Sequence, residues 1–172
     1  MTSEEYILLV NEMLDMQSEL DKSIMKEFGL KEIDRNNLRF ATLDEIGELT
    51  HELKSEWCWW KKTQAPVDKE KVLGELVDIW HFVLSFENNF GRGKEWHVKA
   101  YDIKETVEFD VCEAKKNKKY LFELFWYLFD VQLYMIRSII SITEYLGFTV
   151  EQVYEAYCDK NKINYQRLKE WY

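Results

Sequence analysis

One proline, Pro66, and six glycines are spread over 172 residues. Proline removes a backbone donor and glycine costs conformational entropy, so a chain this poor in both has few places to stop a helix. Alternating apolar and polar runs, the mark of a half-buried strand, are rare. The expected fold is therefore all-α, a helical bundle of about five to six helices. At 20.9 kDa, with 47% apolar residues, residues 1–172 are expected to form one domain around a single core, with no disorder.

Local signals place the helices. Thr2 with Glu5 forms a capping box for a first helix running to about Phe28, ahead of Gly29. Leu43, Ile46, Leu49 and Leu53 recur at helical spacing within a second, expected from Asn36 to Trp60. Pro66 breaks the chain, and Asp68 caps a third helix ending near Asn88 and Asn89. From Phe90 to Lys119 the pattern weakens into a variable insert, read as a loop with one short helix. A long fourth helix is expected from Tyr120 to Leu146 before Gly147, and Thr149 with Gln152 opens a last one towards Trp171.

The formal net charge of −9 argues against a nucleic-acid partner. The longest apolar stretch, Leu121 to Leu146, is interrupted by Glu123, Asp130, Arg137 and Glu144, so no membrane span is expected. Those four residues form one stripe on a helix otherwise apolar all round. Such a helix needs cover on every side, either at the centre of a bundle or at a subunit interface, and a homodimer is the expectation. Three cysteines without metal-ligand spacing, and acid where a signal peptide needs base, point to a cytoplasmic protein with reduced thiols.

The acids of the second and third helices carry the chemistry. Glu45, Glu48 and Glu52 share one stripe, and the i,i+4 pairs Asp44–Glu48, Glu48–Glu52 and Glu52–Glu56 are like-charged where a solvated helix would interleave lysine or arginine. Glu75 and Asp78 lie on a helix whose circumference is otherwise mostly apolar. If the two helices pack antiparallel, Glu45 and Glu48 face Glu75 and Asp78. Four carboxylates at one seam are the ligands of a hard divalent cation such as Mg²⁺, which completes its shell with water and phosphate oxygens. The plain alternative is a solvated acidic face, as in a non-enzymatic helical interaction protein. A diiron site would need Glu-x-x-His on two helices; Glu48 to His51 fits, but Asp78 to His81 has the wrong acid.

The pair Glu45-x-x-Glu48 with Glu75-x-x-Asp78 resembles the metal motif of the all-α nucleotide pyrophosphatases, the group of the dimeric dUTPases and MazG-type enzymes. The flanks look like the dimeric dUTPase family in particular. They are Leu14-Asp-Met-Gln17-Ser-Glu-Leu-Asp21, Asp44-Glu-Ile-Gly-Glu-Leu-Thr-His-Glu52, Trp57-Cys-Trp-Trp60-Lys61, Glu75-Leu-Val-Asp78-Ile-Trp-His81 and Asp159-Lys160-Asn161-Lys-Ile-Asn164-Tyr-Gln-Arg167. Asp21 stands where some members have Asn, and Glu170-Trp171-Tyr172 matches the usual ending only in part.

The resemblance implies Mg²⁺-dependent hydrolysis of dUTP to dUMP and pyrophosphate by a homodimer. Glu45, Glu48, Glu75 and Asp78 would be the metal-binding and catalytic residues. Gln17, Asp21, Trp60 and His81 would lie at the base, and Lys160, Asn161, Asn164 and Arg167 at the phosphates. Gln17 has a donor and an acceptor for a uracil edge. An all-α pyrophosphohydrolase for another deoxynucleotide, such as dCTP, would share the metal site and differ only in the base pocket.

Overall fold

The computed structural model describes residues 1–99, 102–128 and 134–170, and no strand occurs among them. Eight α-helices do: α1 Ser3–Glu27, α2 Arg35–Glu52, α3 Lys54–Trp57, α4 Lys69–Phe90, α5 Ile103–Lys116, α6 Lys118–Tyr127, α7 Met135–Tyr145 and α8 Val150–Lys169. A 3-10 helix, Gly93–Lys99, lies between α4 and α5. The all-α fold is as expected, with somewhat more helices than five to six.

The capping signals act where they were read. The Thr2 hydroxyl accepts from the Glu5 amide while the Glu5 carboxylate accepts from Thr2, and Thr149 with Gln152 repeats the arrangement at α8. Asp68 accepts from the Glu70 and Lys71 amides to start α4. Gly147, at φ +84°, ends α7: its amide bonds the Glu144 carbonyl, and the Phe148 amide bonds that of Thr143.

Three expectations are corrected. The second helix does not continue to Trp60 but stops at Glu52, and the Trp57 indole N–H reaches back 2.8 Å to the Thr50 carbonyl, occupying an acceptor that the helix end leaves open. The stretch 90–119 is not mainly loop, since α5 fills half of it. Its buried face is Ile103, Val107, Asp110 and Ala114. An acid at one of its four positions hides the apolar period of that i, i+4, i+7, i+11 stripe. Nor is there one long helix from Tyr120 to Leu146: α6 ends at Tyr127 and α7 begins at Met135, and both pack on α5.

Asp110, fully buried, explains the arrangement of that half. It accepts from Arg137 Nε at 2.8 Å and Nη2 at 2.6 Å, from Ser141 Oγ at 2.9 Å and from the Tyr120 hydroxyl. One carboxylate thereby ties α5 to both α6 and α7. Of the predicted stripe, Glu144 accepts from the Tyr6 hydroxyl on α1 and Glu123 pairs with Lys119, while Asp130 lies outside the described residues.

The apolar α7 is covered from within the chain by α4, α5, α6 and α8. At the centre is α4, with Val72, Leu76, Ile79, Trp80, Val83 and Leu84 in the core and α2, α1, α7 and α8 packed round it. No helix among the described residues is long and apolar enough to cross a membrane.

Candidate active site

α2 packs on α4, and the order in which their acids pair fits the antiparallel seam. Of its charged neighbours Glu45 feels Asp78 most, while Glu75 feels Glu48 most, a pairing in which one helix counts up as the other counts down. Ile46 and Leu49 on α2 are buried, as are Leu76 and Val77 on α4, and this apolar packing holds the acids at its edge. Carboxylate oxygens of Glu45, Glu48 and Glu75 lie within 4.8 Å of one another. Beside them an open groove of about 360 Å³ is lined by Asp44, Gly47, Glu48, His51, Glu52 and Glu75.

Asp78 is held differently. Lys160 of α8 bonds its Oδ2 at 2.7 Å, with both side chains mostly out of solvent. No basic residue near Asp78 in sequence foretold this, because the partner lies 82 positions away.

The crowding is visible in the protonation of the acids. Burial first, then Asp78, Glu48 and Glu75, push Glu45 up from 4.5 to about 7. Burial, followed by Glu48 and Asp78, raises Glu75 as well. The donor set consists of carboxylate oxygens that repel one another, with one lysine at its edge, and this fits a hard divalent cation. Among the described residues the close carboxylates include no histidine: His51 lines the groove but is exposed, and His81 lies against Gln17.

A second polar group lies deeper, between α1, α4 and α8. Gln17, Asp21 and His81 are all buried. Gln17 Oε1 accepts from the Tyr157 hydroxyl at 2.8 Å and lies 2.8 Å from His81 Nδ1, while its Nε2 donates to Asp21 Oδ1 at 2.7 Å. Asp21 Oδ2 accepts from Ser85 Oγ at 2.7 Å and Asn89 Nδ2 at 3.1 Å. The His81 and Tyr157 rings stack with centroids 4.2 Å apart. Burial, then Lys160, holds His81 down at about 3, so it is neutral.

Ser85, Asn89 and Tyr157 were missed as members of this group. Ser85 and Asn89 follow His81 at i+4 and i+8, a polar line on an apolar helix that periodicity could have found.

The remaining expected residues are less concentrated. Trp60 is exposed and packs with Trp57 and Trp59, ring centroids 5.6 and 5.7 Å away. Asn161 is buried next to the Tyr157 hydroxyl without a hydrogen bond of good geometry. Asn164 is half-buried and Arg167 exposed. Trp171 and Tyr172 lie outside the described residues.

The described residues form an all-helical fold with acids from two facing helices gathered at one groove. The chain belongs to the all-α dimeric dUTPase family, for the dUTPase family model matches residues 9–172, nearly the whole length. It is thus a dUTP diphosphatase, from a family that generally depends on divalent metal, and the reading as a non-enzymatic interaction protein falls away. No curated protein matches the chain.

Proposed function

We propose that the chain, a single domain acting as a homodimer, hydrolyses dUTP to dUMP and pyrophosphate with Mg²⁺ held by Glu45, Glu48, Glu75 and Asp78. The observation that carries this is the convergence of the first three carboxylates within 4.8 Å, with Asp78 beside them on Lys160. Bound Mg²⁺ would supply an activated water and neutralise charge on the phosphates. The carboxylates would orient an attacking water towards the α-phosphorus and one of them would take its proton, so that a new P–O bond forms as the bond to the bridging oxygen breaks and pyrophosphate leaves. Lys160, Asn161, Asn164 and Arg167, all on α8, lie on the side of the departing phosphates, where positive charge offsets the charge that builds up. The Gln17 and His81 group receives the uracil, with Trp60 covering it. Exposed Phe40 and Leu43 on α2 give the second subunit an apolar surface beside the groove.

Pyrophosphate release from a panel of deoxynucleoside triphosphates, with Mg²⁺ and with chelator, tests this reading. Fast cleavage of dUTP only with the metal is expected. Preference for dCTP would reject the base assignment, and activity in chelator would reject the metal. Hydrolysis in water enriched in heavy oxygen should place the label in dUMP, whereas label in pyrophosphate would exclude attack at the α-phosphorus.

The acid cluster also sets a pH dependence. Glu45 titrates at about 7 in the fold against 4.5 ordinarily, so the folded state binds the extra proton and loses stability as pH rises through about 7. Without metal, the melting midpoint should fall as pH rises from about 4.5 to about 7 and level off above that. Mg²⁺ should remove that fall and release a proton on binding, measurable by calorimetry in buffers of different ionisation enthalpy. A chelated protein whose midpoint is flat over this range would contradict the crowding of Glu45.

A further inference from the structure

Asp21 is 6% exposed, and every partner it has is a donor: Gln17 Nε2, Ser85 Oγ and Asn89 Nδ2. A side-chain amide can usually turn end for end at little cost, but a carboxylate accepts only from the NH₂ end. The opposite end of Gln17 is fixed as well. Its Oε1 receives the Tyr157 hydroxyl at 2.8 Å, and burial raises the pKa of that tyrosine, which keeps the hydroxyl a donor. The atom facing His81 Nδ1 at 2.8 Å is therefore an oxygen, and a hydrogen bond at that distance needs the proton on Nδ1. A neutral imidazole has one N–H. With it on Nδ1, Nε2 is a bare lone pair, and in the structure that atom is buried without a partner. The ring is stacked on Tyr157, which resists a flip that would exchange its edges.

We infer that Asp21 is a positioning residue whose carboxylate, through the amide of Gln17, fixes His81 as the Nδ1–H tautomer and leaves Nε2 as an acceptor for the imide N–H of the base. This rests on placing the base at the Gln17 and His81 group. The Watson–Crick edge of uracil has one donor, N3–H, between two carbonyls. Cytosine has a lone pair at N3, and two lone pairs facing each other in a dry pocket leave both groups unsatisfied. The pocket thereby separates uracil from cytosine by hydrogen-bond polarity, a strong form of discrimination, whereas a thymine methyl has to be rejected by shape. Asp21 itself does not touch the base. Asparagine in its place can present either end to Gln17, which leaves the Tyr157 hydroxyl as the one group that orients the amide.

The test reads the tautomer directly. The chain has three histidines, so the imidazole nitrogen signals of His81 can be assigned by their loss in His81→Gln. In the unmodified protein they should carry the Nδ1–H signature, unchanged over about pH 5 to 8. In Tyr157→Phe, where Asp21 alone orients Gln17, the signature should persist; with Asp21→Asn added it should give way to a mixture, and the preference for dUTP over dCTP in kcat/KM should fall at least about tenfold between the two. A purely structural role would lower both substrates alike. A proton on Nε2 in the unmodified protein, loss of the signature in Tyr157→Phe alone, or a double variant with tautomer and preference intact, overturns the inference. If the tautomer is as inferred but a non-hydrolysable dUTP analogue leaves the His81 signals unmoved, the base lies elsewhere. The acceptor role then falls, while the hold of Asp21 on the ring stands.

Discussion

Glu48→Gln should abolish most dUTP hydrolysis and at the same time make the metal-free protein more stable. Glutamine keeps the shape of the side chain but not its charge, so it is a poor ligand for a hard cation. Loss of an outer partner of a metal ligand already costs 10–100-fold, and removal of a direct ligand should cost at least about 100-fold in activity at saturating Mg²⁺. The gain in stability has the same origin. Glu48 stands among Glu45, Glu75 and Asp78 and helps to hold Glu45 and Glu75 above the ordinary carboxylate range. Removing one of several like charges near the surface returns a few tenths of a kcal/mol each, or about 1–2 °C in the melting midpoint of a chain this size. Mg²⁺ should then stabilise the variant less than the parent. Melts in chelator and in Mg²⁺, run beside the activity assay, check all three. A variant that melts lower in chelator, or that keeps its activity, would mean that Glu48 is a structural residue and not a ligand.

Arg137→Met should have the largest effect on stability, with no direct effect on the site. Asp110 has no exposed surface, and Arg137 gives it two charged hydrogen bonds. Taking away one partner of a buried pair leaves a charge uncompensated, at a cost of about 3 kcal/mol or somewhat more. The melting midpoint should drop by about 6–12 °C. Ser141 and Tyr120 still donate to Asp110, so the fold should survive. Adding Asp110→Asn to Arg137→Met should recover part of the loss, because the amide oxygen still accepts from one hydroxyl, the NH₂ can donate to the oxygen of the other, and no charge is left buried. KM for dUTP should stay unchanged in the folded fraction. A double variant less stable than Arg137→Met alone would show that the carboxylate is needed for a reason other than the arginine.

How far the sequence could be read follows the range of the interactions involved. The capping boxes at Thr2 and Thr149, the cap at Asp68 and the stop at Gly147 are made within a few residues, and each is where it was expected. The acids at the α2–α4 seam were legible too, since two i,i+3 pairs on neighbouring helices need only the packing of Ile46 and Leu49 on α4 to meet. α5 was not legible, because Asp110 occupies a core position and so interrupts the apolar period that marks a buried face. The division between α6 and α7 was not legible either, as no glycine or proline marks it and the flanking residues are apolar on every side.

The amino-acid order alone thus determined that the chain is helical, where most helices begin and end, and which acids can meet. The tertiary structure decided which of those groups remain available. Asp78 is met by Lys160 from 82 residues away, and the amide of Gln17 is turned by Asp21 and by Tyr157, the latter 140 residues away. Helix periods and caps are settled by backbone hydrogen bonds between residues at most about four apart. A side chain's charge partner or hydrogen-bond orientation is settled only when distant helices pack, and it is those partners that fix the acceptor at His81 and the crowding at Glu45.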